Sequence, residues 1–307
     1  MARMTIGLIG LGRMGLGIGS RLVNDNHTVY GFDYSPQANN AASTVGIIPC
    51  ANMADLATKT SLFWIMVPAG EAVDQTIAAL IPSLTTGATI IDGGNSHFGD
   101  AIRRHAFLKE QGVSYIDCGT SGGLHGKDNG YCLMVGGDKK TFDHIEPLLK
   151  SIATPGGYAY MGPAGAGHYV KMVHNGVEYA LLQSYAEGFH LLKEGLYKDL
   201  DLAAISNVWQ HGSIIRSWIL ELAKNVLQND QEFASVSGRI GENKTGQWTL
   251  DEAHVQGLAA PMLEEALEMR AWSRTTGGNY ATKMVALLRK EFGGHPLEEK
   301  KDHDTEK

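Results

Sequence analysis

The stretch Ile6-Gly7-Leu8-Ile9-Gly10-Leu11-Gly12-Arg13-Met14-Gly15 decides how the first half of the chain is read. An apolar run, Thr5–Ile9, has strand character and feeds a G-x-G-x-x-G pattern at Gly10, Gly12 and Gly15; a helical pattern, Met14–Asn24, follows. Gly10 permits a tight turn, Gly12 lets the backbone approach a pyrophosphate, and Gly15 lets the helix pack close to the strand. The helix N-terminus offers its N–H groups and the positive end of its dipole to phosphates. The pattern alone is weak in a chain with 38 glycines, but its setting strengthens it. A second strand, Thr28–Phe32, ends at Asp33, about 20 residues past the motif, where a carboxylate accepts from the adenosine ribose hydroxyls. That carboxylate repels a 2′-phosphate, so NAD is expected over NADP. The bland alternative is a plain turn, with Asp33 capping the next helix.

Outward from this motif, further apolar runs at Ser61–Val67, Thr89–Ile91, Ser114–Asp117 and Tyr131–Val135 alternate with helical patterns such as Ala101–Glu110. Such alternation predicts βαβ units and a parallel sheet covered on both faces. The grammar changes at Gly162-Pro163-Ala164-Gly165-Ala166-Gly167. Beyond it lie helical periodicities only: His168–Glu194, Leu202–Trp209, Ser213–Leu227, Thr249–Leu258 and Pro261–Arg274. The expected fold is a Rossmann-type, doubly wound α/β domain over 1–164, followed by an all-helical domain over 165–307. Glu298–Lys307 is charged and nearly devoid of apolar groups, and reads as a solvated tail.

Composition narrows the function classes. The chain has 307 residues, 43% hydrophobic and 19% charged, with a net charge of −7. An acidic balance argues against nucleic acid or an anionic membrane as partner. Three cysteines, Cys50, Cys118 and Cys132, form no CxxC and no metal spacing, so no metal is expected. The first apolar run reads straight into the glycine motif and no stretch is long enough to span a bilayer; the expected compartment is the cytoplasm.

Just past the boundary, Lys171, His174, Asn175 and Glu178 stand at i, i+3, i+4 and i+7, on one face of a helix. A base, an acid and two hydrogen-bonding groups then face one way. A solvated polar ladder has the same spacing. Asn175-Gly176 in mid-helix, however, costs about 1 kcal/mol for the glycine alone, which hints at close packing or ligand approach.

This face, with Tyr179, resembles the catalytic helix of the 6-phosphogluconate dehydrogenase family. Four more segments agree in order: Asp92-Gly93-Gly94-Asn95-Ser96, Ser121-Gly122-Gly123, Thr245-Gly246-Gln247-Trp248-Thr249, and Arg289 through Phe292-Gly293-Gly294-His295. The resemblance covers essentially the whole chain and is to the compact, bacterial, NAD-dependent form. It implies oxidative decarboxylation of 6-phosphogluconate in the pentose phosphate pathway. Lys171 would be the base at the C3 hydroxyl and Glu178 the acid at C1. Asn175 would orient Lys171 and the hydroxyl, while His174 would contact substrate. Asn95, Ser121, Gly122 and Gly123 would approach the substrate carboxylate and hydroxyls. Tyr179, Arg270 and Arg289 would clamp the phosphate, with Arg274 a competitor to Arg270. Arg289 and His295 would complete a neighbouring subunit's site, which implies a homo-oligomer. The expected cofactor contacts are Gly10, Leu11, Gly12, Arg13, Met14, Gly15, Asp33, Val67, Pro68 and Asn95.

Two departures stand against the family pattern. Asn243-Lys244 is offset before Thr245, which leaves Lys244 an open phosphate ligand, and Leu124-His125 follows the Ser-Gly-Gly segment. The rival is a β-hydroxyacid dehydrogenase of the 3-hydroxyisobutyrate type, which shares the nucleotide motif, the Gly-Gly turn and a Lys-x3-Asn helix. It has no use for Glu178-Tyr179 or the Arg289 to His295 segment. A module that holds NAD without turnover is a third reading; the Lys171–Glu178 face argues against it.

Overall fold

The computed structural model describes residues 3–241 and 244–298. These form two compact units, one running through Met172 and one from Val173 onward. The division falls inside the long helix after Pro163 rather than at its start.

In chain order the first unit contains β1 (Thr5–Ile9), α1 (Arg13–Asn24), β2 (Thr28–Phe32), α2 (Pro36–Thr44), β3 (Ile48–Pro49), α3 (Met53–Lys59), β4 (Leu62–Ile65), α4 (Glu71–Leu80), β5 (Thr89–Asp92), α5 (Phe98–Glu110), β6 (Ser114–Ser121), α6 (Gly126–Asn129), β7 (Tyr131–Gly137), α7 (Lys139–Ile152) and β8 (Ala153–Gly162). The strands form one eight-stranded sheet in the order β3-β2-β1-β4-β5-β6-β7-β8. β1 pairs in parallel with β2 on one side and β4 on the other. The order therefore reverses beside β1, and ligand crevices in such sheets open at the carboxyl ends of strands at this point. β7 runs antiparallel to β6, and β8 parallel to β7.

Side-chain alternation along the strands feeds a separate core on each face of the sheet. Ile6 and Leu8 join Ile18, Leu22, Leu148 and Leu149 on one face. Ile9, Phe63 and Ile65 join Ile77, Ala101 and Leu108 on the other. All of β4 is buried, as a central strand covered on both faces requires.

The expected central strands are present, and β6 and β7 extend beyond their predicted ends. β3 and β8 were not expected; both lie at sheet edges. β3 contains Pro49, and β8 opens Ala153-Thr154-Pro155-Gly156-Gly157. Proline cannot donate to a ladder and glycine weakens a strand, so such sequences survive at edges and carry little strand signal.

Helix α8 (Ala166–Glu194) is 29 residues long and contributes its first turns to the first unit. The second unit holds its remainder with α9 (Leu202–Gln210), α10 (Trp218–Asn229), α11 (Lys244–Val255), α12 (Pro261–Thr276) and α13 (Tyr280–Gly293), and no strand among the described residues. Its main core gathers Phe189, Leu220, Leu222, Phe233, Met284 and Leu288. α10 starts later than the expected Ser213 because Ser217 is its N-cap, accepting from the Leu220 amide at 3.0 Å. α13, not anticipated, opens on a reciprocal capping box between Asn279 and Thr282. No described helix is long and apolar enough to cross a membrane. Of the expected tail, residues 299–307 lie outside the described residues.

A polar knot closes the first unit. His27 and Ser151, both buried, join α1's exit to α7 through a 2.9 Å contact between His27 Nε2 and Ser151 Oγ. Ser151 also hydrogen-bonds to Asp25, and the Met4 amide donates to His27 Nδ1 at 3.2 Å. Burial lowers the His27 pKa below the ordinary histidine value, although Asp25 pulls the other way. The unfolded chain thus binds the proton more readily than the fold. Stability from this group is complete above about pH 6.5 and is lost as pH falls through the lowered folded value. The Tm of the wild type, compared between neutral and acidic buffers, should fall more steeply than that of His27→Gln; equal slopes would contradict the assignment.

Candidate active site

At the end of β1 the chain turns through Gly10 at φ +89°, a conformation L side chains rarely adopt. A Cβ there would lie 2.6 Å from the Met66 carbonyl oxygen and 3.2 Å from Val67 Cγ1, so the turn abuts the end of β4. A Cβ at Gly15 would lie 2.0 Å from the Gly10 carbonyl oxygen, which is the close helix–turn packing the motif requires. Gly12 instead faces open space: nothing lies within 4 Å of a Cβ there. Gly12 is the N-cap of α1, without a side-chain cap and with no acidic residue in the first turn. The exposed turn, open at Gly12 and backed by an uncapped helix N-terminus, fits a dinucleotide pyrophosphate. Arg13 is exposed, Met14 half-buried and Leu11 buried.

Asp33 follows β2 and ties this turn down. Its Oδ2 accepts from the Leu11 amide at 2.7 Å and its Oδ1 from the Ser35 amide at 2.8 Å. The cap of α2 is Ser35, not Asp33. Val67 is half-buried and Pro68 exposed, just after β4.

The loop after β5 stands on a buried polar cluster. Asp92 Oδ2 accepts from Ser96 Oγ at 2.7 Å, Tyr115 Oη at 2.9 Å and Arg104 Nη1 at 3.3 Å. Burial disfavours the Arg104 charge, but its Asp74 hydrogen bond and neighbouring charges outweigh this and raise its pKa. Asp92 and Ser96 are buried, whereas Asn95 between them is exposed at the loop tip.

Strand β6 presents Asp117, Gly119 and Ser121 two residues apart, on one face. Asp117, fully buried, accepts from the amides of Gly165 at 2.8 Å and His168 at 2.9 Å, and so caps α8 from across the fold. A Cβ on Gly119 would lie 2.3 Å from Lys171 Cβ, so the buried Lys171 stem rests on the strand backbone. After Ser121, Gly122 takes φ +127° and Gly123 φ +54°, so this turn needs glycine for its backbone conformation alone.

In the second unit, α8 presents Asn175, buried, and His174 and Glu178, half-buried. His174 Nδ1 lies 3.1 Å from Asn175 Oδ1 and 4.0 Å from Glu178 Oε2. Gly176 is explained by packing: a Cβ would meet Thr249 Cγ2 of α11 at 2.7 Å. The same helix pair buries Tyr179, since a Cβ on Gly246 would lie 2.3 Å from the Tyr179 ring. The Thr245–Thr249 segment thus acts by letting α11 approach α8.

Above the Tyr179 ring, at 3.4 Å from its centroid, lies the Arg270 guanidinium. Arg270 is 4% exposed, and its Nη1 and Nη2, like Tyr179 Oη, have no hydrogen-bond partner among the described residues. Burial lowers its pKa to about 10, with Tyr179 pulling upward. Arg270 lines a cavity of about 250 Å³ with Gln247, Leu250, Glu264, Leu267 and the less buried Arg274. Arg289 is buried on α13. Its Nη1 donates to the Gly241 carbonyl at 2.9 Å; burial lowers its pKa, with Glu178 pulling upward. His295 turns back on Phe292, with ring centroids 6.2 Å apart. Lys244 is exposed at the start of α11, and Asn243 lies outside the described residues.

Two family models match in tandem. Residues 5–167 match the NAD binding domain of 6-phosphogluconate dehydrogenase, and residues 167–306 its C-terminal domain. The chain belongs to the 6-phosphogluconate dehydrogenase family. It is 42% identical over 304 residues to the NAD(+)-dependent, decarboxylating 6-phosphogluconate dehydrogenase of Haloferax volcanii, a match covering 97% of this chain and 100% of that protein. To the Bacillus subtilis enzyme of the same name it is 35% identical, covering 98% of this chain and 67% of that one. Among solved structures, Plasmodium falciparum 6-phosphogluconate dehydrogenase superposes with TM-score 0.81 at 29% identity, covering 88% of this chain and 62% of that one. Mycobacterium tuberculosis 3-hydroxyisobutyrate dehydrogenase superposes with TM-score 0.75 at 25% identity, covering 94% and 99%. The rival type thus shares the fold, while the 6-phosphogluconate dehydrogenase family accounts for the sequence of both domains.

Sequence reasoning passed over the residues that hold this family's motifs in place. Asp117 was read as a strand end, and His168 only as the first residue of a helical pattern. The signals were a carboxylate closing an apolar run, and a histidine one turn before Lys171.

Gly246→Ala would drive a methyl into the Tyr179 ring and should destabilise the protein by about 1–3 kcal/mol in chemical denaturation. An unchanged midpoint would show that the ring moves aside freely.

Proposed function

We propose that the protein oxidises 6-phosphogluconate with NAD and releases CO2, yielding ribulose 5-phosphate. The observation that carries this reading is the buried, unpartnered Arg270 guanidinium stacked on Tyr179, one residue from Glu178. Burying a cation without an anion is costly, so such a site is built for an anionic group brought by a ligand. A phosphate suits it, because guanidinium groups bind phosphate through paired, charge-assisted hydrogen bonds. An unphosphorylated hydroxy acid, the substrate of the rival reading, has only its carboxylate to offer, whereas 6-phosphogluconate brings a phosphate for Arg270 and a carboxylate for the Ser121–Gly123 turn.

Gly10, Leu11, Gly12, Arg13, Met14 and Gly15 would hold the cofactor pyrophosphate, Asp33 the adenosine ribose, and Val67, Pro68 and Asn95 the nicotinamide end. When bound, NAD would supply the acceptor for the hydride that leaves C3. Lys171 takes the proton of the C3 hydroxyl as that hydride leaves, a role that needs the amine neutral at the start. Asn175 orients the hydroxyl. The 3-keto acid then loses CO2, and protonated Lys171 stabilises the charge that develops on the C3 oxygen. Glu178 delivers a proton to C1 of the resulting enediol while Lys171 takes back the proton of the adjacent enol hydroxyl, which becomes the ketone of ribulose 5-phosphate. Ser121, Gly122, Gly123 and His174 bind the sugar acid, while Tyr179, Arg270 and Arg289 bind the phosphate. From the resemblance we retain a homo-oligomer as part of this reading, with His295 offered to a neighbour.

Supplied with 6-phosphogluconate, the protein should form NADH and CO2 in equal amounts, with a higher kcat/KM for NAD than for NADP. NADH formation from 3-hydroxyisobutyrate without CO2 would favour the rival. Lys171→Met should lower kcat by about a hundred- to ten-thousand-fold while NAD still binds. Arg270→Met should raise the KM for 6-phosphogluconate by about 10–100-fold and leave the KM for NAD alone; an unchanged substrate KM would remove Arg270 from the phosphate site.

A further inference from the structure

One buried residue of the first unit has no role in the steps above. His168 is 2% exposed, in the first turn of α8. Its Nε2 lies 3.2 Å from the Asp92 carbonyl oxygen and its Nδ1 3.4 Å from the Ser96 carbonyl oxygen. Both partners are carbonyl oxygens, so whichever nitrogen carries the proton, a donor meets an acceptor. The two carbonyls bracket the loop Asp92–Ser96, whose exposed middle residue is Asn95.

The loop is held in part by its own bonds, the Gly94 amide donating to Asp92 Oδ1 at 3.2 Å and Ser96 Oγ to Asp92 Oδ2 at 2.7 Å. Gly93 and Gly94 leave its backbone more freedom than other residues would, so contacts from outside the loop add to its definition. Its side chains anchor it from below, through Asp92 to Ser96, Tyr115 and Arg104. The His168 ring anchors it from the helix side. The backbone of the same residue is fixed in turn, since its amide donates to Asp117. Three residues on, about one turn along α8, Lys171 rests on Gly119, two residues from Asp117 in β6.

We propose that His168 is a positioning residue, whose ring ties the loop presenting Asn95 to the helical turn presenting Lys171. It touches neither reactant. It sets the distance between the group at the nicotinamide end and the base at C3, so hydride and proton leave the same carbon from aligned positions. Misplacement of about 1 Å at such a site costs on the order of a hundredfold in rate. The proposal rests on the assignments of Lys171 and Asn95 made above.

The test compares His168→Leu, which removes the donor, with His168→Gln, which keeps an N–H able to reach a carbonyl. In His168→Leu, kcat with 6-phosphogluconate should fall about 10–100-fold, while the Kd for NAD stays within about twofold. The deuterium effect on kcat from C3-deuterated substrate should rise, because hydride transfer becomes slower than the other steps. His168→Gln should recover most of the lost kcat. A leucine variant with wild-type kcat, or leucine and glutamine variants equally impaired, would overturn the proposal. If the leucine variant does not fold, His168→Phe, which refills the volume, is held to the same criteria. Lys171→Met separates the layers: turnover by that variant defeats the reading of the site itself. An inactive Lys171→Met beside an unimpaired His168→Leu defeats only the positioning role.

Discussion

The Asp117 carboxylate, accepting from two backbone amides at the start of α8, is the contact that docks this helix start on the sheet of the first unit. A helix N-terminus carries unsatisfied N–H groups and a partial positive charge; a carboxylate at that point is worth about 0.3–2 kcal/mol, more where it is partly buried. Here the carboxylate comes from a central strand, so the same interaction fixes where the helix starts and how it is rotated. Glycines clear the way for it. A Cβ on Gly136, opposite Asp117 in β7, would meet the Gly167 amide nitrogen at 2.6 Å, and one on Gly167 would meet the Met134 carbonyl at 2.4 Å. With rotation fixed, Lys171 falls on Gly119 and His168 on the loop after β5.

The second unit solves a different problem. Tyr179 is held between Gly246 on α11 and Arg270 on α12, and the guanidinium is kept from water with no hydrogen bond from its Nη1 and Nη2 among the described residues. A fold selected for stability alone would pair or expose that charge. Retaining it depresses the Arg270 pKa through burial, and in the proposed function an entering phosphate would relieve that cost. Stability and recognition pull against each other at this residue.

The nucleotide turn was legible because its logic is local: strand, glycines at fixed offsets, helix, and a carboxylate closing the next strand. The helix that carries Lys171, His174, Asn175 and Glu178 was legible for the same reason, as helical periodicity is a property of consecutive residues. The edge strands were not, because Pro49 and the Thr154-Pro155-Gly156-Gly157 run contradict strand propensity and are tolerated only where one side of the ladder is unpaired. The roles of Asp117 and His168 arise from pairings of residues 48 to 76 positions apart, which no local pattern encodes. The Thr245–Thr249 segment was singled out by resemblance, but its reason, a missing side chain beneath an aromatic ring, belongs to helix packing.

Within the second unit, the offset between His174 and Glu178 along α8 is inherited from helical pitch. Adding or deleting one residue between them would swing every later side chain by about 100° around the axis. It would also pull Gly176 away from Thr249 and Tyr179 away from Gly246. Evolutionary drift in this stretch is thereby confined to exchanges at constant length, whereas the surface connections elsewhere in the chain are at liberty to grow or shrink.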